Sequence, residues 1–133
     1  RLWRAAADKI FREFNISLVK AMAEVGDIDP RARAETFIRT YVHYAHMQPA
    51  LHKMILQESS YPSERLDWLV ENHLRPLYEM IEPSLRRLQE MGVAPAGSTG
   101  LLYNMIRVSA GGLLALSLEI RGTTDIDLEL DDA

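Results

Sequence analysis

Residues 65–92 read RLDWLVENHLRPLYEMIEPSLRRLQEMG. Leu66, Leu69, Val70, His73, Leu74, Leu77, Met80, Ile81, Leu85, Leu88 and Met91 recur at steps of mostly three and four residues. That spacing keeps one face of a helix apolar. Pro76 and Pro83 fall inside the pattern. Each removes a backbone donor and crowds the preceding turn. The periodicity passes through both, so the stretch reads as one kinked helix ending at Gly92. Pro76 would free the carbonyl of Asn72, and Pro83 that of Glu79.

The same reading extends outward. Leu2, Trp3, Ala6, Ile10, Phe14, Leu18, Met22 and Val25 place a first helix up to Gly26, a residue suited to helix ends. Asp29-Pro30 reads as a cap and first-turn proline for a second helix carrying Ala34, Phe37, Ile38, Tyr41 and Ala45. That helix stops near Met47, because Gln48 precedes Pro49. Pro49 opens a short third helix, and residues 59–63 form a turn. Residues 93–100 connect to a last helix, capped by Ser98 or Thr99, that runs from Leu101 to about Arg121-Gly122. No convincing strand appears. The expected fold is all-α, a bundle of about five helices in a single domain over residues 1–133.

Composition narrows the function. Hydrophobic residues make up 47% of the chain and charged residues 26%, which excludes disorder. The longest strongly apolar run is closed by Arg107 and Glu119, too short for a bilayer crossing, so no membrane partner is expected. There is no cysteine, hence no disulfide, thiolate nucleophile or zinc–thiolate site; this is compatible with the cytoplasm, the expected location. The net charge of -4 argues against a nucleic-acid surface on this chain. Acidic residues cluster after Arg121, and the tail reads as a solvated loop. The first helix opens at residue 1 without a cap, and the end is equally abrupt; both suggest a piece of a longer protein.

Chemical signatures are sparse. His43 and His46 lie three apart, with His52 nearby, a spacing that can share a helix face around a metal. No carboxylate or cysteine joins them at ligand spacing, so they read as polar residues at a helix edge, and no metal or cofactor is expected. No phosphate loop, nucleophile elbow or metalloprotease motif occurs, and the chain is not expected to be an enzyme. Aromatic residues and methionines are spread over four helices, a set suited to line an adaptable interior. Gly111-Gly112 sit inside the apolar last helix, where glycine survives best if another backbone comes close. One partner of that helix is its own bundle; the other is expected to be a second copy of the chain.

Phe37 to Ser59 (FIRTYVHYAHMQPALHKMILQES), Arg65 to Gly92 and Leu101 to Gly122, in that order, resemble the C-terminal regulatory domain of tetracycline-repressor (TetR) family transcriptional regulators. The resemblance implies a homodimer that binds a small-molecule effector and controls operator DNA through an N-terminal helix-turn-helix domain absent from this chain. The family's final helix is absent too. The pocket for such an effector is expected between the second, third, fourth and fifth helices. Its walls would be Phe37, Tyr41, Tyr44 and Met47 from the second helix and Met54 from the third. Trp68, Asn72, Leu77 and Met80 would come from the fourth, and Tyr103 and Ile106 from the last. With no Lys or Arg among them, the expected effector is apolar or aromatic and without strong charge; Arg107 lies one position away. Ala110, Gly111, Leu114, Ser117 and Leu118 share a face of the last helix and would form the dimer interface. Two other readings stand beside this one: a helical protein-interaction module without ligand, and a small enzyme on a helical bundle.

Overall fold

The apolar periodicities fold as helices around one core. The computed structural model describes residues 1–112 and 116–127. Its elements are α1 (Leu2–Val25), α2 (Pro30–Met47), α3 (Pro49–Glu58), α4 (Glu64–Leu69), a π turn (Val70–Leu74) and α5 (Arg75–Glu90). They continue with α6 (Thr99–Arg107), a second π turn (Val108–Gly112) and α7 (Ser117–Thr124). Among the described residues there is no strand, and the architecture is an all-α helical bundle. Among the same residues, no helix is long and apolar enough to cross a membrane.

Local chemistry sets the helix ends. The Asp29 carboxylate accepts from the Arg31 and Ala32 amides, and Pro30 sits where no intrahelical donor is needed. The Ser98 hydroxyl accepts from the Leu101 amide at 3.1 Å and starts α6. Gly26 and Gly92, at φ of 73° and 75°, take the left-handed backbone that side chains disfavour, just beyond α1 and α5. Ser63 caps α4 by accepting from the Leu66 amide at 3.0 Å. Ser63→Ala is expected to cost about 1 kcal/mol, read as a lowered urea midpoint with an unchanged slope.

The centre of the bundle is α2, which touches α1, α3, α5 and the second π turn. Phe11, Phe14 and Leu18 of α1 meet Phe37 and Tyr41 of α2, with Leu77, Ile81 and Leu85 of α5 on the other side. One end of α1 is held against α4 by aromatic contacts. Trp3 and Trp68 meet edge to face at 5.7 Å, while Arg4 lies over Trp68 and Arg65 over Trp3. Nearby, His73 stacks on Phe11 at 4.6 Å, and its Nε2 lies 2.8 Å from Asp8 Oδ1. The histidine in the apolar stripe is thus a buried, paired residue.

Two expected helices are interrupted. The long fourth helix passes its first proline through the π turn, in which the Arg75 amide donates to the carbonyl of Val70, five residues back. A widened turn relieves the crowding between the Pro76 ring and the turn before it. Pro83 lies within α5 itself. The single last helix expected from Leu101 to Gly122 is instead α6, a π turn holding Gly111-Gly112, and α7, which runs past Gly122 to Thr124. Glycine resists the regular α-helix and admits the wider turn.

Candidate functional site

Widened turns shift the side chains that follow them, and the first π turn and the start of α5 line one cleft. It measures about 360 Å³ and opens between α3, α4, the first π turn and α6. Ile55 and Ser59 come from the end of α3, and Leu66 from α4. Val70 and Leu74 come from the π turn, and Arg75 and Tyr78 from the start of α5. Gly100, Tyr103, Asn104 and Arg107 close it from α6. The Ser98 cap fixes where α6 begins and so which of its faces meets the cleft. A Cβ at Gly100 would sit 3.6 Å from the Tyr78 hydroxyl, ordinary contact. The walls are mainly aliphatic with two aromatic rings, and the polar groups are few, as is usual for small-molecule sites.

A polar cluster lies against this cleft in the core. The Tyr41 hydroxyl and His52 Nε2 are 2.8 Å apart, both residues buried. His52 Nδ1 and the Tyr103 hydroxyl are buried with no hydrogen-bond partner. Burial first, and the Arg107 charge second, lower the His52 pKa to about 4, so the imidazole is neutral at pH 7. Burial pushes both tyrosine hydroxyls above their ordinary range, with Arg107 opposing. The Arg107 guanidinium lies 5.8 Å from the Tyr103 ring centroid and donates to Asn104 Oδ1 at 2.9 Å. Of these groups Tyr103 and Arg107 line the cleft, while Tyr41 and His52 are buried in the core.

The second π turn packs against the same cluster. A Cβ at Gly111 would lie 2.5 Å from His52 Nε2 and 2.9 Å from Tyr41 Cε1. Gly111 is therefore required by a close approach within its own chain. It faces inward, and this corrects its expected place on an outer dimer face. Ala110 is half-buried and lines a shallow outer groove of about 440 Å³ with Ile38, Val42, Leu102, Met105, Ile106 and Ser109. Leu118 is 82% exposed. Ser117 opens α7, and Leu114 lies outside the described residues.

The expected pocket walls do not come together. Of the eleven residues, Tyr103 lines the 360 Å³ cleft. Phe37, Tyr103 and Ile106 border an internal void of about 10 Å³, no larger than a water needs. Tyr41 and Leu77 are core residues, and Met54 is half-buried against that core. Tyr44 packs on Phe14 and bonds to Ser17 at 2.6 Å, and Trp68 turns to Trp3 and His73. Met80 lines a separate polar groove beside Arg33 and Arg87. Met47 is 69% exposed, and Asn72 is also exposed, its amide donating back to the Trp68 carbonyl at 2.8 Å. The expectation of walls without cations also needs correction, since Arg75 and Arg107 both border the cleft.

The three histidines of the expected helix edge also part. His43 is exposed and meets the Tyr44 ring, His46 Nδ1 lies 3.1 Å from the Val42 carbonyl, and His52 is buried with Tyr41. Among the described residues no group of three or more His, Asp or Glu side chains is placed to hold a metal ion. Compared with known proteins, the chain matches no family model, no curated protein and no solved structure.

Proposed function

We propose that this chain is the effector-binding, dimerising regulatory domain of a TetR-like transcriptional regulator, a repressor acting in the cytoplasm. A small, largely apolar effector enters the cleft between α3, the first π turn and α6. Operator DNA is contacted by a helix-turn-helix domain outside this chain. The observation that carries the reading is the cleft itself: about 360 Å³, aliphatic walls and a few convergent polar groups, within an all-α bundle. The first π turn lines the cleft, and turns of this kind often mark functional positions. The test is the coding sequence directly upstream of residue 1. It should encode a helix-turn-helix, and an upstream sequence without one overturns the regulator reading.

The dimer belongs to the outer groove rather than to Gly111. Met105 is 60% exposed and lines that groove; Leu101 of α6, Val108 of the second π turn and Leu118 of α7 are further exposed apolar residues. A charge placed there would be buried unpaired in a symmetric interface. Met105→Glu together with Leu118→Glu is expected to turn a dimer into a monomer in sedimentation experiments, with helical content unchanged. A wild-type monomer, or a double variant as dimeric as wild type, removes this face from the interface. The exposed apolar groove also favours the protein-interaction reading. A wild-type protein that is monomeric and takes up no small molecule would support that alternative.

A further inference from the structure

The two arginines of the cleft differ in what neutralises them. Arg75 is paired with Glu71 at 3.2 Å. Among the described residues, no carboxylate pairs with Arg107; its guanidinium meets the neutral Asn104 amide and the Tyr103 ring. A guanidinium has five donors in a flat fork that matches a carboxylate. One bond to Asn104 leaves most of that fork unused.

A second observation points the same way. Tyr103 lines the cleft and is 5% exposed, yet its hydroxyl has no partner. Buried hydroxyls in folded proteins are nearly always hydrogen-bonded, because leaving the bond unmade is costly. The Arg107 guanidinium lies 5.8 Å from the centroid of the same ring, and both residues line the cleft from α6. The opposite character prevails along Ile55, Leu66, Val70 and Leu74, which offer only aliphatic surface.

We propose that the cleft binds a monocarboxylic acid with an apolar body. Its carboxylate pairs with Arg107 and accepts a hydrogen bond from the Tyr103 hydroxyl, and its body lies on the aliphatic wall. This rests on the reading of the chain as an effector-binding domain and names the class of effector. A single acid group fits because, among the described residues, Arg107 has no carboxylate partner, while Arg75 is committed to Glu71. A second charge on the ligand would be carried onto apolar walls without a partner. A cationic ligand would meet Arg107 as a like charge, and a neutral one would forgo the charge-assisted bond to the guanidinium.

The test is calorimetric titration of the protein with octanoate, octanol and octylamine. These probes share one chain and differ in the charge of the head. Octanoate is expected to bind about tenfold tighter than either of the others, the scale of a charge-assisted hydrogen bond. Arg107→Gln should bring octanoate and octanol to within about twofold of each other, and Arg107→Lys should keep part of the preference. Tyr103→Phe, which leaves the ring in place, should weaken octanoate about fivefold and octanol hardly at all. Arg75→Gln should change the preference less than Arg107→Gln. Octanol binding as tightly as octanoate, a preference that survives Arg107→Gln, or no uptake of octanoate at millimolar concentration would each overturn the proposal. The regulator reading fails separately, on the upstream sequence.

Discussion

Gly111→Ala is expected to destabilise the fold by about 3 kcal/mol, although the substitution would ordinarily favour a helix. Alanine gains about 0.5–1 kcal/mol over glycine in a helix interior. Against this, the new Cβ would stand 2.5 Å from His52 Nε2, 2.6 Å from His52 Cε1 and 2.9 Å from Tyr41 Cε1. Both rings are buried in the core and joined by their own hydrogen bond, so neither can swing to solvent. Overpacking typically costs about 1–3 kcal/mol. Breaking the Tyr41–His52 bond leaves buried polar atoms unsatisfied at about 1–3 kcal/mol more. The steric and polar costs outweigh the helix gain. Urea unfolding of the wild type and variant checks this, and an unchanged or raised midpoint would show that the second π turn does not press on His52. Gly111→Leu would be worse, and for that reason is a poor probe of dimerisation: it would damage the monomer first.

Helix positions were legible because burial on one face imposes a period the sequence cannot hide. Ends were legible where a cap has its own chemistry, as at Asp29-Pro30 and Ser98. The widened turns were not. A π turn conserves the apolar stripe nearly as well as a kinked α-helix, because one extra residue merely passes to the next position on the face. Pro76 announces strain in residues 65–92 but does not say whether a bend or a wider turn relieves it. Gly111-Gly112 announce a close approach but not its partner, which proved to be an imidazole of the same chain.

The site was less legible for the same reason. Selecting aromatic and methionine residues by type gathers core and cleft alike. Tyr41 and Tyr103 look equivalent in sequence, yet Tyr41 satisfies its hydroxyl on His52 while Tyr103 leaves its own unpaired beside the cleft. Arg107 was visible as a neighbour of the expected wall, but Arg75 and Leu74 were not, since their place depends on the π turn. By sequence spacing His52 groups with His43 and His46 at a helix edge. The break at Gln48-Pro49 sends it to another helix and into the core.

The buried imidazole gives the second large effect, a loss of stability in mild acid. In the folded protein the His52 pKa is lowered to about 4 by burial and by Arg107. In the unfolded chain it returns to about 6.5. The unfolded state therefore binds this proton more readily between those values, and stability falls as pH falls through that window. Above about pH 6.5 the contribution is constant; below about pH 4 both states are protonated and the loss is complete. Allowing for partial screening by solvent, the loss is on the order of 2 kcal/mol. Carboxylates add their own acid dependence, so the informative quantity is the difference between two proteins. His52→Gln keeps an amide within reach of the Tyr41 hydroxyl and cannot titrate. The variant is expected to be less stable than wild type at pH 7 by about 1–2 kcal/mol, and the gap should close or reverse by pH 4.5. Urea midpoints at the two pH values measure it. A gap of the same size at both would mean that His52 is not held neutral, and that the core around Tyr41 and Arg107 admits its charge.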